Sequence, residues 1–127
     1  MLLPAVRTVC DFISCRDDEL SFTTGCVLQV LGEDIYDGID GYSCRLGEKR
    51  GWVNKVHTQP AVLKTKVACD GAGFLHFTNN DILIVLYEID NDHYYCRHSL
   101  NGKEGKVSKS IVAWQDEVAS SSLKNRH

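Results

Sequence analysis

The 127-residue sequence contains no apolar run near the roughly 18 residues that a bilayer-crossing helix needs, and Met1-Leu2-Leu3-Pro4 is too short for a signal-peptide core. The expectation is a cytoplasmic chain with no membrane insertion. A block of basic charge is also missing. The net charge is −3, with 6 basic against 9 acidic residues over positions 1–59 and 8 against 8 over 60–127. Phosphate backbones and anionic lipid surfaces are held by concentrated Lys and Arg, so this balance argues against nucleic acid as a partner. Six cysteines (Cys10, Cys15, Cys26, Cys44, Cys69, Cys96) include no Cys-x-x-Cys pair and have no histidine at ligand spacing. No metal or other cofactor is expected, and the cysteines read as free thiols used as small buried apolar groups. No long stretch has helical spacing, which leaves an all-β chain of short strands.

What is present is a repeat. Asp17-Asp18-Glu19-Leu20-Ser21-Phe22-Thr23-Thr24-Gly25 returns in altered form as Leu75-His76-Phe77-Thr78-Asn79-Asn80-Asp81-Ile82, about 55 residues later. Each copy then runs into an apolar segment, Val27 to Leu31 or Leu83 to Leu86. The chain is therefore expected to hold two small domains, over 4–59 and 61–114, with 115–127 a polar, Ser-rich tail or linker. Units of that size bury only about 60% of their unfolded surface, which makes packing of one on the other a plausible source of stability.

In the first half, Val6 to Phe12 reads as a strand, Ile13 to Glu19 as an acidic loop, and Val27 to Leu31 as a buried strand. Gly32 to Gly41 reads as a second polar loop. Gly47-Glu48-Lys49 marks a tight hairpin between Tyr42–Leu46 and Arg50–Val53, and Asn54 to His57 suits one turn of tight helix. The second half repeats this order with strands over Val62–Cys69, Ile82–Tyr87, Tyr94–Leu100 and Gly105–Val107, and with Ser108–Ile111 in the helical-turn slot.

These segments, in this order, resemble an SH3 domain. Thr8-Val9-Cys10-Asp11-Phe12 stands where the family has Ala-Leu-Tyr-Asp-Tyr, Asp17 to Phe22 matches the end of the RT loop, and Gly51-Trp52-Val53 matches the step before the family's Pro-x-x-Tyr turn. Residues 62–113 resemble the family more loosely. The resemblance implies two consecutive SH3-like five-stranded barrels and a non-catalytic module of an intracellular scaffold, adaptor or regulatory protein, with a protein or a proline-rich peptide as partner. Polyproline II segments present proline rings in pairs that slot between parallel aromatic side chains, beside a carboxylate that pairs with a flanking basic residue.

Carried over position by position, the resemblance implies contacts from Phe12, from Asp17, Asp18 and Glu19, from Asn54 in the proline's place and from His57 in the closing tyrosine's. The gripping tryptophan falls on Gly41 or, shifted by one, on Tyr42; in the second copy Tyr94, with Tyr95 beside it, offers the aromatic. Cys10 replaces the first tyrosine. With so many rings missing, an atypical or joint surface is the leading expectation, including the RT loop and the Gly32–Gly41 segment (the family's n-Src loop). Conventional PxxP binding by the first copy is the alternative. Trp52 is expected to cover a neighbouring strand, and of Tyr94 and Tyr95 one should face the core and one the outside. Cys10 and His57 suggest a nucleophile and base only weakly, because nothing in the sequence supplies a third, orienting residue. A reader of modified lysine or arginine, with a cage from Phe12, Tyr36 and Tyr42, and a purely structural spacer are the remaining readings.

Overall fold

The computed structural model describes residues 1–116, and the expected tail lies outside the described residues from 117 on. The chain divides into two compact units, Met1–Ala61 and Val62–His127. In the first, β1 (Val6–Thr8), β2 (Val27–Tyr36), β3 (Ile39–Leu46) and β4 (Lys49–Asn54) lead through a 3-10 turn at Lys55–His57 into β5 (Thr58–Pro60). The order is β4-β3-β2-β1-β5, an antiparallel meander whose last strand returns beside the first. The second unit has β6 (Val62–Thr65), β7 (Ile82–Glu88), β8 (His93–His98), β9 (Glu104–Ser108), a 3-10 turn at Lys109–Ile111 and β10 (Val112–Trp114). Its order is the same, β9-β8-β7-β6-β10. The protein is all-β, with two consecutive small SH3-like barrels.

Sequence and burial agree closely inside each barrel. Val6, Leu20, Phe22, Leu28, Val30, Cys44 and Val53 form the first core, and Leu63, Leu75, Phe77, Leu83, Val85, Cys96 and Val107 are buried at the matching places in the second. Burial pushes the Cys44 and Cys96 thiols up to about 12, so both stay protonated and behave as apolar groups. The six cysteines are free, but Cys15 is exposed on the RT loop and is not the buried apolar filler expected of it.

The first strand is shorter than its apolar pattern. β1 ends at Thr8, although Val9 N–H still donates to the His57 carbonyl (2.9 Å) in the register of the β1–β5 pairs, and Phe12 rejoins only as a single bridge to Phe22. Thr8, 1% exposed, sits at the break. Its hydroxyl donates to the Thr23 carbonyl (2.6 Å) and accepts from the Cys26 amide (2.8 Å). Thr65 does the same in the second barrel, donating to the Thr78 carbonyl (2.5 Å) and accepting from the Asp81 amide (2.9 Å). A buried amide without a partner costs about 1–3 kcal/mol, which these hydroxyls avoid.

Gly32 to Gly41 is not a loop. β2 and β3 stay paired from Gly32↔Ser43 to Tyr36↔Ile39, joined by the two-residue turn Asp37-Gly38. Both turn residues have positive φ (53° and 77°), as a type I′ hairpin turn requires. The polar residues Glu33, Asp34 and Asp40 masked the ribbon, because a two-stranded extension exposed on both faces carries no apolar alternation.

The end of the RT loop lies on β4 with backbone against backbone. Trp52 N–H donates to the Asp18 carbonyl (2.8 Å) and Leu20 N–H to the Trp52 carbonyl (3.1 Å); Leu75 N–H reaches the Lys106 carbonyl (2.9 Å) in the second barrel. Only a glycine fits under this seam. A Cβ at Gly51 would lie 2.8 Å from the Leu20 nitrogen, and one at Gly105 would lie 3.0 Å from the Leu75 nitrogen.

Gly51→Ala is expected to destabilise the first unit by about 1–3 kcal/mol, and Gly105→Ala the second by less, since the obstruction there is slightly farther away. Amide hydrogen exchange, read unit by unit, checks the ranking. A pH effect is expected at Asp81, whose carboxyl is held below its ordinary value by hydrogen bonds from His98 (2.9 Å) and the Thr78 amide (3.0 Å). The stabilisation is complete above the ordinary carboxylate pKa of about 4 and is lost as pH falls through the lower folded value. Asp81→Asn should therefore be less stable than the parent at neutral pH, with the gap closing in acid denaturation.

Candidate functional site

The outward side of β4 and the turn after it define the site in the first barrel. Val53 points into the core, so its neighbours Trp52 and Asn54 point out. Asn54 is pinned, its Oδ1 accepting the Val56 amide (3.1 Å) at the start of the 3-10 turn. That turn sets the His57 ring 5.0 Å from Phe12 and 6.1 Å from Phe22, with Phe12 and Phe22 stacked at 5.6 Å. Cys10 Sγ lies 3.3 Å from His57 Nδ1. One end of the site is thus a half-buried aromatic wall of Phe12 and His57.

Trp52 makes the other wall. In the sheet register Gly41 pairs with Asn54 and Ser43 with Trp52, and Gly41 is buried beneath the indole. A Cβ at position 41 would overlap the Trp52 ring. The indole Nε1–H donates to the Asp34 carbonyl (3.0 Å), and the ring lies 5.7 Å from Tyr36. Where the family carries its tryptophan on β3, this barrel has a bare glycine covered by a tryptophan from β4. Residues 5–57 match the variant SH3 domain.

That match covers the first barrel from before β1 to the end of the 3-10 turn. No curated protein matches the chain. An SH3-type domain is in general a protein-interaction module that takes proteins or proline-rich peptides. In the variant SH3 domain at residues 5–57, the Trp52 indole donates its single N–H to the Asp34 carbonyl, so the side chain offers a ring face and no donor.

The acidic residues divide. Asp17 and Asp18 are exposed at the RT-loop tip, whereas Glu19 is half-buried beside Trp52, with Arg16 Nε 3.8 Å from its Oε1. Tyr42 does not take the tryptophan's place. It shares its face with buried Cys44, opposite Val53, and lines a cavity of about 310 Å³ with Leu3, Pro4, Val30 and Pro60; Lys55 Nζ lies 5.0 Å from its ring. Phe12, Tyr36 and Tyr42 do not share a cage, since Tyr36 joins Trp52 while Tyr42 faces the other way.

Register also reassigns the second barrel. His93 pairs with Ser108 as Gly41 pairs with Asn54, so the tryptophan position is His93 and not Tyr94. Tyr94 is 8% exposed, in the core, 5.6 Å from Trp114, whereas Tyr95 faces out and stacks on Tyr87 at 4.9 Å. Lys106 stands in the place of Trp52 and Phe74 in that of Glu19, with Lys106 Nζ 4.6 Å from the Phe74 ring. Ser108 caps the 3-10 turn as Asn54 does.

Cys10 and His57 are within hydrogen-bond reach, yet the ring's aromatic neighbours are Phe12 and Phe22. Among the described residues no carboxylate meets its other nitrogen to orient it as a base. No group of three or more His, Cys, Asp or Glu suited to a metal occurs among the described residues. Trp52 covers neighbouring strands as expected, its indole lying over Gly41 of β3 and donating to Asp34 of β2. The sequence signal for that fit is a bare glycine on one strand and a tryptophan on the next.

Gly41→Ala is expected to destabilise the first barrel by about 1–3 kcal/mol, because the indole cannot give way without losing its bond to Asp34. In a Trp52→Leu background the same change should be nearly neutral. A double-mutant cycle by chemical denaturation measures the difference, and equal costs in both backgrounds would place the indole elsewhere.

Proposed function

We propose that the chain is a non-catalytic interaction module of an intracellular scaffold, adaptor or regulatory protein, acting in the cytoplasm. In this reading the first barrel holds an extended, proline-bearing segment of a partner in a shortened groove. Phe12 and His57 form one wall, Trp52 the other, and Asn54 the floor. The observation that carries this reading is the Trp52 indole over Gly41, which supplies from β4 an aromatic face at the position where the family's ligands are gripped. Two walls give one full slot for an apolar ring in place of the family's row of slots, so affinity should be weak without further contacts.

Those further contacts have candidates on the RT loop and on the β2–β3 ribbon. Ile13 on the RT loop is 86% exposed, and Tyr36 and Ile39 are exposed on the β2–β3 ribbon, on the face that carries Gly41. Large apolar groups at a groove rim favour a partner that touches the loops as well as the groove. The second barrel has the scaffold without the slot, since Tyr94 is in its core and Lys106 replaces the tryptophan. We assign it no peptide site.

Titrating a proline-rich peptide into the whole chain, followed by backbone amide shifts, tests the reading. Shifts are expected at Phe12, Trp52, Asn54 and His57, with none at Tyr94 or Lys106. Phe12→Ala should weaken the binding by about tenfold, the cost of one buried aromatic contact. No shift in the first barrel at millimolar peptide would refute it.

A further inference from the structure

The cleft between the RT loop and the β2–β3 ribbon of the first barrel is already occupied by a side chain of the barrel itself. Arg16 extends from the RT loop so that its guanidinium carbon lies 5.0 Å from the centre of the Tyr36 ring, while its Nε lies 3.8 Å from Glu19 Oε1. Trp52 borders both partners, bridged to Glu19 through the backbone and packed on Tyr36 at 5.7 Å. A guanidinium against an aromatic face and a carboxylate, beside an indole, is the environment that a basic residue of an incoming peptide would need.

The loop holds this arrangement from behind. Ser14 Oγ donates to the Arg16 carbonyl (2.7 Å) and accepts the Arg16 amide (3.0 Å), and the Ser14 amide in turn donates to Ser21 Oγ (2.9 Å). The chain at Arg16 is therefore set before the side chain reaches across. Glu19 is the least exposed carboxylate of the acidic run, with its side chain 16% exposed, and it is the one Arg16 pairs with. Asp17 and Asp18 remain in open water, where an added ion pair is worth little.

We propose that Arg16 is a built-in substitute for a ligand's basic residue, so that the first barrel takes extended segments without favouring those that carry a flanking Arg or Lys. The residue determines specificity by filling the subsite beside Glu19, the least exposed carboxylate of the acidic run. This rests on the groove reading above, and the experiment separates the two.

Two synthetic proline-rich peptides, identical except for a flanking Arg or Ala, are titrated against the whole chain and its Arg16→Ala variant. The parent is expected to bind both within about twofold. Arg16→Ala should bind the Arg-flanked peptide about fivefold more tightly than the parent does and the Ala-flanked one unchanged, with the gain shrinking as salt is raised. Tyr36→Leu added to Arg16→Ala, which removes the ring that either guanidinium needs, should cancel the gain. A parent that already prefers the Arg-flanked peptide, with that preference unaltered in Arg16→Ala, overturns the role of Arg16 and leaves the groove intact. Failure of both peptides to bind both proteins overturns the groove reading and the Arg16 proposal together.

Discussion

Each barrel depends on one close approach of two backbones, where the end of the RT loop lies against β4 or β9 at a glycine. Gly51 and Gly105 leave room for the Leu20 and Leu75 amides to sit where a side chain would otherwise project. That contact fixes the loop to the sheet, and the loop carries Phe12, Arg16 and Glu19 while the sheet carries Trp52 and Asn54. Without it these residues would lie on two separate surfaces. The buried hydroxyls of Thr8 and Thr65 hold the other end of the same loop, tying it to the first strand.

Much of this scaffold was legible in the sequence because it is written in types that have few substitutes. The spacing of Leu20, Phe22, Leu28 and Val30 recurs in Leu75, Phe77, Leu83 and Val85, and all eight are buried. The site was less legible because it depends on strand parity. A bulge lies between Val30 and Gly32, and nothing in Val30-Leu31-Gly32 announces it. Counting alternately through that point assigns the wrong faces to the whole ribbon. Tyr42 was read as a stand-in for the tryptophan on the strength of being aromatic and one residue away, whereas the register places it with Cys44 on the core side. Arg16 was invisible for a different reason, since a long flexible side chain can reach Tyr36 only through a ribbon that had been read as loop.

The two copies share a cleft and fill it with opposite chemistry. In the first, the RT-loop position is a carboxylate and the β4 position an indole; in the second, the matching pair is Phe74 and Lys106. Each nevertheless contains a cation against a ring, Arg16 on Tyr36 in one and Lys106 on Phe74 in the other. Such pairs stabilise exposed sites only modestly, by about 0.5–1 kcal/mol, but they cover aromatic surface that would otherwise face water. The scaffold thus tolerates a complete exchange of polarity at its cleft, because the residues involved point away from the core and touch the seam only through their backbones.

The hairpin turn at Asp37-Gly38 touches none of the groove residues and yet acts as their length gauge. Its two residues set where β3 begins to run back, and so decide that Gly41 faces outward under the Trp52 ring while Tyr42 faces inward. A chain one residue longer or shorter at this remote tip would present the tyrosine to the indole and the glycine to the core, exchanging a fitted wall for a collision. Shape at the groove is in this sense counted out at the far end of the ribbon.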